Sequence, residues 1–312
     1  MIAVLADELA RAVRGRVRRD VPLARYTTYR IGGPAAVLVE PADAGDVARA
    51  LDRTRDAGSA WMALGLGSNL LVSDAGFPGV VIRVGRGLDA VESDGPAWRV
   101  GAGLPTPILA RRSAEAGFAG VHRLVGVPGT VGGGVFMNAG AHGQEFRDVV
   151  RRVRLARPDG SVEDRAGADI PWRYRSAGLD QAIVLEADLA LEPADPRRLR
   201  AEIAAHLAWR KAGTPFNEPC CGSVFRNPGA GGDGESGGRR RTAGQLIDAA
   251  GMKGFRIGGA QVSPLHANYI VNVGGATADD VLRVIEAVRE RVRSAFGVVL
   301  ELEVKLVGLR GG

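Results

Sequence analysis

Cysteine is nearly missing from this 312-residue chain, occurring only at Cys220 and Cys221, side by side. Two adjacent cysteines exclude a disulfide framework and any Cys-x-x-Cys redox or metal motif. The four histidines, at 122, 142, 206 and 266, are spaced too widely for a metal-ligand motif, so no metal is expected. Lysine stands only at 211, 253 and 305 and never follows a glycine, which removes a Walker A loop. Aromatics make up 5% of the chain, too few for the basic stripe with interleaved rings that marks a nucleic-acid binder. No apolar run reaches the length of a transmembrane helix. The first residues place Asp7 and Glu8 directly after a short apolar run, not the basic-then-apolar order of a secretory signal. A cytoplasmic protein with no membrane or nucleic-acid partner is expected.

Arginine and glycine are abundant. The formal charge is +6, and nearly all the positive charge is arginine, whose planar fork suits phosphate and carboxylate. Its clusters (14 to 19, 151 to 154, 239 to 241) are scattered and read as overall composition. The 45 glycines, by contrast, concentrate. The densest segment runs Gly126-Val-Pro-Gly-Thr-Val-Gly-Gly-Gly-Val-Phe-Met-Asn-Ala-Gly-Ala-His-Gly143, with a second at Leu64-Gly-Leu-Gly-Ser-Asn-Leu-Leu71. Glycine permits positive φ and close approach to a ligand, and successive exposed N–H groups form an anion-binding concavity. Two such loops point to one long, phosphate-bearing ligand held at two places; the plainer reading is a pair of tight turns.

Periodicity places elements around these loops. The spacing predicts a helix over 43–57 capped by Asp43, between strands at 36–40 and 61–64, the latter feeding the first glycine loop. Further strands are expected at 80–84 and 98–100 and a helix at 105–116. A hairpin over 149–165 turns at Pro158-Asp159-Gly160, and a strand follows at 183–191. Pro193 and Pro196 mark a domain boundary before a helix at 197–210. Gly229 to Gly238 reads as a low-complexity, mobile loop. Helices are expected at 243–250 and 277–296, and a last strand over 298–307 with Leu300, Leu302, Val304 and Leu306 on one side and Glu303 on the other. This order makes a mixed α+β protein.

Familiar nucleotide sites fail. Leu70 stands where a Rossmann fingerprint needs its third glycine. Gly234-Glu-Ser-Gly-Gly238 fits a hydrolase pattern only by chance, with no strand before it. A non-Rossmann, phosphate-rich cofactor remains the better explanation.

From about residue 20 to 309 the chain resembles the UDP-N-acetylenolpyruvoylglucosamine reductase family, in the branch without an extra tyrosine-bearing loop. Eight landmarks in family order carry the resemblance: Thr28-Tyr-Arg-Ile-Gly-Gly33, Gly65-Leu-Gly-Ser-Asn-Leu-Leu71, the 126–140 glycine segment, Trp172-Arg-Tyr-Arg-Ser176, Cys221-Gly-Ser-Val-Phe-Arg-Asn-Pro228, Ala243-Gly-Gln-Leu-Ile247, His266-Ala-Asn-Tyr-Ile-Val-Asn272 and Leu300-Glu-Leu-Glu-Val-Lys305. The short interval from Arg175 to Ser223 leaves no room for the tyrosine loop.

The resemblance implies an FAD-binding fold of the vanillyl-alcohol-oxidase type, built of two α+β subdomains, plus a C-terminal α+β substrate-binding domain. The expected divisions are 1–84, completed by a C-terminal strand at 298–312; 85–194; and 195–297. It also implies that FAD is the cofactor and NADPH the reductant, with UDP-N-acetylglucosamine enolpyruvate reduced to UDP-N-acetylmuramate for peptidoglycan, in a monomer. Carried over by resemblance, the FAD contacts are Arg30, Gly65, Leu66, Gly67, Ser68, Asn69, Leu70, Gly129, Thr130, Gly132, Gly133, Asn138, Ala139 and Gly140. The two glycine loops would hold the pyrophosphate through backbone N–H groups, Ser68 and Asn69 would add side-chain bonds, and Asn138 to Gly140 would approach the flavin. Substrate contacts would come from Tyr174, Lys211, Asn227 and His266.

Reduction of an enol ether next to a carboxylate puts hydride on one carbon and a proton on its neighbour, chemistry that belongs to a cofactor. The matching catalytic set is Ser223 as general acid, Arg175 neutralising the carboxylate as charge develops, and Glu303 completing that polarising site. A turn serine, a surface arginine and a solvated strand glutamate are the plain readings of the same residues. A sugar or alcohol oxidase of the same fold would need the glycine loops without this set, and a nucleotide-sugar or nucleic-acid binder would be colourless.

Overall fold

The computed structural model describes residues 2–215, 217–229 and 241–309, so the expected loop at 229–238 lies almost wholly outside the described residues. The chain forms two compact units. One comprises 1–21, 35–66 and 78–210, and the other 22–34, 67–77 and 211–312.

The first unit holds α1 (Ile2–Ala12), α2 (Ala44–Asp56), α3 (Thr106–Glu115), α4 (Val131–Phe136) and most of α5 (Pro196–Gly213). As expected, Asp43 caps α2, accepting from the Asp46 amide at 2.9 Å. Pro105 sits at the N-cap of α3, where a missing N–H costs nothing. A four-stranded sheet is ordered 16–22, 34–40, 77–83, 61–64, the last pair parallel. An antiparallel five-stranded sheet is ordered 162–166, 150–156, 183–190, 97–101, 91–94. Alternation along Ile183–Ala190 buries Ile183, Leu185, Ala187 and Leu189 in the core. One apolar cluster runs from Leu5 to Leu191, so the two expected subdomains, 1–84 and 85–194, share one core.

The boundary expected at Pro193/Pro196 is displaced. Helix α5 buries Leu199 and Ile203 against Ala110, Ala114 and Val125, which keeps it in the first unit as far as Arg210. Apolar burial outweighs the proline signal there.

The second unit packs α6 (Ala243–Ala249), α7 (Ala278–Phe296) and an antiparallel sheet ordered 256–257, 260–262, 270–272. Thr242 with Gln245, and Thr277 with Asp280, form capping boxes that fix both helix starts. Gly297 closes α7 in the left-handed conformation, φ 67°. Val281, Ile285, Val288 and Val292 face the core, and half-buried Leu282 packs against it. The long last strand does not form. Only Lys305–Val307 is regular, parallel to Leu70–Val72, so the C-terminal segment completes the second unit rather than the first.

Candidate active site

The two glycine loops meet within the first unit. A Cβ built on Gly65 would lie 2.7 Å from Thr130 Oγ1. That proximity is possible only because Gly65 carries no side chain. Thr130, 2% exposed, caps α4 by accepting from the Gly133 amide at 3.4 Å. Its flanks are tied down. Gly129 O accepts from Thr106 N at 3.0 Å, Val131 N donates to Leu104 O at 2.8 Å and Gly132 N to Ala102 O at 2.8 Å. The Gly132 amide is therefore occupied by the protein, and this glycine serves close packing: its Cβ would stand 2.8 Å from the Ala102 Cβ. Among the described residues, the amides of Gly65, Leu66 and Gly129 carry no hydrogen bond to the protein. A side-chain-free edge with unspent amides fits a diphosphate.

The rest of the first loop belongs to the second unit. Gly67 has φ 61°, and a Cβ there would strike the Tyr26 carbonyl. Asn69 is used differently from the expectation. Its Nδ2 donates to the Glu303 carbonyl at 3.1 Å, while its own carbonyl accepts from Lys305 N at 3.0 Å. The Asn69 side chain thus anchors the Glu303 segment. Leu70 opens the strand paired with Lys305. Arg30, at φ 57°, is exposed in the preceding turn, its amide bonded to the Thr27 carbonyl.

Ser223 follows Gly222, which has φ 81°. The next residue is the junction of this unit's site. Val224 O accepts from Glu303 N at 2.8 Å and from Val304 N at 3.3 Å, and Val224 N donates to Asn268 O at 2.9 Å. Two successive amides sharing one carbonyl make the pairing irregular at 303–304, beside the isolated bridge between Phe225 and Leu302. Ser223 and Glu303 are thereby held on paired segments although eighty residues apart in sequence. Asn268, 4% exposed, clamps the next residue from both sides: Phe225 N donates to its Oδ1 at 3.0 Å, and its Nδ2 donates to Phe225 O at 2.8 Å. In the sequence, Asn268 is marked only as a polar residue within the His266–Asn272 landmark.

Cys221 lies buried beside Tyr29, and burial first, then the neighbouring Cys220, pushes its thiol far above the usual range. It stays neutral and is no nucleophile.

Two of the expected substrate contacts, Asn227 and His266, are partly occupied by the protein, and a third is not. Asn227 Oδ1 accepts from Ala243 N at 3.0 Å, helping to cap α6. His266 Nδ1 accepts from Asn268 N at 3.2 Å, and its ring meets Tyr269 edge-on at 4.8 Å. Lys211 is exposed on α5.

In the first unit, Tyr174 and Arg175 form the tip of a tight turn. Arg173 N donates to Ser176 O at 2.8 Å and Ser176 N to Arg173 O at 3.1 Å. Arg175 has φ 57°, and its guanidinium lies 4.6 Å from the Tyr174 ring centroid, a cation–π contact. Asn138, 0% exposed, spends its amide within the protein: Nδ2 donates to Glu145 Oε2 at 2.9 Å and to Arg173 O at 3.1 Å, and Oδ1 accepts from Arg147 N at 3.1 Å. Both Nδ2 hydrogens are thereby spent within the protein, and the fully buried Oδ1 already holds the Arg147 amide. Ala139 is bonded through both N and O, and Gly140 pairs with Glu145.

Sequence spacing also hid a histidine cluster. His142 and His206 stack with centroids 3.9 Å apart, and Trp209 meets His142 edge-on. His122 Nε2 lies 2.9 Å from Glu202. Among the described residues, no three His, Cys, Asp or Glu side chains are placed to hold a metal, and no helix is long and apolar enough to cross a membrane.

Two family models match parts of the chain. Residues 35–165 match an FAD binding domain, and residues 214–307 match the UDP-N-acetylenolpyruvoylglucosamine reductase C-terminal domain. The chain is 39% identical over 307 residues to UDP-N-acetylenolpyruvoylglucosamine reductase 1 of Bacillus anthracis, covering 97% of this chain and 99% of that one. It resembles the crystal structure of the Thermus caldophilus reductase with a TM-score of 0.78 and 34% identity, over 94% of this chain and 99% of that chain. A berberine bridge enzyme variant shares the fold alone, with a TM-score of 0.50 at 16% identity, covering 62% of this chain and 44% of its own. The fold is an FAD-binding domain of the vanillyl-alcohol-oxidase type with a C-terminal α+β domain.

Proposed function

The chain belongs to the UDP-N-acetylenolpyruvoylglucosamine reductase family, and from that premise we propose how its residues work. It is an FAD-dependent oxidoreductase of peptidoglycan synthesis that reduces UDP-N-acetylglucosamine enolpyruvate to UDP-N-acetylmuramate. NADPH is its reductant, and it acts as a cytoplasmic monomer.

The observation that carries this reading is the lock at Val224, which holds a hydroxyl and a carboxylate on paired backbone segments. The unspent amides of Gly65, Leu66 and Gly129 are the groups that would hold the FAD diphosphate, with Gly67 giving the loop its turn. FAD, when bound, supplies the two-electron hydride chemistry that no side chain can. Arg175 fixes the substrate carboxylate and stabilises the negative charge that spreads onto it once the enol ether carbon has been reduced. Ser223 hands its hydroxyl proton to the adjacent carbon. A free serine is a very poor acid, but an enolate-like carbon is a strong base, so the transfer is downhill when the geometry is held. Glu303 completes the polarising site at the carboxylate, directly or through a water. Tyr174, Lys211, Asn227 and His266 serve the sugar nucleotide or the nicotinamide cofactor.

The test is spectroscopic. Purified protein is expected to be yellow, to bleach with NADPH and to recover under nitrogen on adding the enolpyruvyl sugar nucleotide. Ser223→Ala is expected to keep bleaching and lose turnover. Turnover surviving within about threefold would remove Ser223 as the acid, since general acids contribute on the order of a hundredfold or more.

A further inference from the structure

We propose that Asn138 is a positioning residue for Arg175, linking the second glycine loop to the turn that presents the guanidinium, and not a flavin ligand. The inference rests on the catalytic reading of Arg175 given above. It grows from a mismatch. Asn138 stands in the glycine segment, where a polar side chain reads as a ligand, yet every hydrogen bond its amide makes is internal.

The backbone explains why an asparagine stands there. Asn138 has φ 42°, a left-handed conformation that asparagine tolerates better than most residues. Its own amide donates to Val135 O at 3.0 Å, at the end of α4. Fixed in this way and fully buried, its side chain spans two segments. On one side Arg147 N and Glu145 Oε2 hold it; on the other, Nδ2 reaches the Arg173 carbonyl.

That carbonyl is the base of the Arg173–Ser176 turn. The turn has a difficulty of its own: Arg175 sits at φ 57°, where an arginine persists only if its surroundings impose it. Two tethers from the glycine segment do so. One is the Asn138 amide, and the other runs from Ala177 N to Phe136 O at 3.1 Å. Their anchors, Phe136 and Asn138, flank Met137 at the end of α4. The loop expected to approach the flavin and the turn carrying Arg175 are thereby one hydrogen-bonded piece. Loss of the Asn138 amide frees one edge of the turn and lets Arg175 relax toward an ordinary conformation.

The consequence is selective. Arg175 is needed when charge develops on the substrate carboxylate, not when the enzyme takes up reducing equivalents. Asn138→Gly keeps the positive φ and deletes the amide. In the FAD-loaded enzyme, stopped-flow measurement is expected to show bleaching by NADPH unchanged within about threefold, while reoxidation by the enolpyruvyl sugar nucleotide slows ~10- to 100-fold, the range expected for a misplaced catalytic group. In an Arg175→Ala background, Asn138→Gly is expected to add no further slowing, because its effect passes through Arg175. Equal slowing of both half-reactions, or the full factor retained in the Arg175→Ala background, overturns the proposal. Should Arg175→Ala itself leave reoxidation untouched, the catalytic reading of Arg175 fails first, and the positioning role with it. A folded Asn138→Gly protein that cannot hold FAD overturns the claim that Asn138 is no flavin ligand; if the variant does not fold, Glu145→Ala carries the same test. It removes the acceptor that orients the amide, and Glu145→Gln, which keeps an acceptor oxygen, is expected to restore reoxidation. A Glu145→Ala enzyme with normal reoxidation refutes the link.

Discussion

Gly65→Ala tests the idea that FAD is held where the two glycine loops touch. The added methyl would stand 2.7 Å from Thr130 Oγ1 and 3.4 Å from its Cγ2. Thr130 has no room to turn away, being 2% exposed and bonded as the N-cap of α4. One loop must retreat by about half an ångström, and forced overpacking of this kind costs roughly 1–3 kcal/mol. In the apoprotein the loops can separate and escape most of that cost. A ligand that needs both loops close together must bear it, so FAD affinity is expected to fall about 5- to 150-fold. Titration of FAD into flavin-stripped protein, followed by quenching of flavin fluorescence, gives the number. Thr130→Ala removes both crowding atoms. On its own it loses the cap, at about 0.5–2 kcal/mol of stability. In its presence, however, Gly65→Ala is expected to cost FAD affinity less than about twofold, a coupling that a double-mutant cycle reads directly. A Gly65→Ala protein that binds FAD like the wild type refutes the reasoning, as does a full penalty that persists once Thr130 has been truncated.

Other consequences concern stability. Gly134→Ala would drive a methyl into the ring of fully buried Phe146. Thermal unfolding is expected to show a loss of about 1–3 kcal/mol, and Phe146→Leu is expected to relieve part of it. Asp46 is buried at the start of α2 and accepts from the amides of Ala42, Gly15 and Arg14 at 2.8, 2.8 and 3.0 Å, with Arg49 also paired to it. Burial works against its charge, and these amides and the Arg49 guanidinium outweigh it, so the carboxyl lies below its usual range. Its contribution is therefore complete above the unfolded carboxylate value of about 3.9 and is lost as pH falls from there through the folded value. Asp46→Asn is expected to cost about 2–4 kcal/mol at neutral pH, because it turns an amide donor toward backbone donors. Melting curves across pH should show the gap between wild type and variant closing in acid; a constant gap refutes the carboxylate argument.

Much of this protein is local and therefore legible in its sequence. Asp43 marks a helix start because caps depend on residues within one turn. Glycine density located the two loops because only glycine permits their close contacts, as Gly65 against Thr130 shows. The Ser223, Arg175 and Glu303 assignment rests on resemblance alone, since a serine after glycine or a glutamate in a final strand has no distinguishing local chemistry.

What the sequence determined by itself was the α+β class, the helices and most strands of the first unit, and the glycine loops, all of which follow from short-range periodicity and backbone freedom. Tertiary structure alone decided where side-chain amides were spent. It turned Asn69 toward the Glu303 carbonyl and Asn138 toward the Arg173 carbonyl, and it set Asn268 as the clamp on Phe225. It also drew the unit boundary into the last turn of α5 and left only Lys305–Val307 of the last strand regular. A hydrogen bond between residues far apart in sequence has no periodicity to announce it, and burial that crosses elements can overrule the proline and alternation signals on which a sequence reading depends.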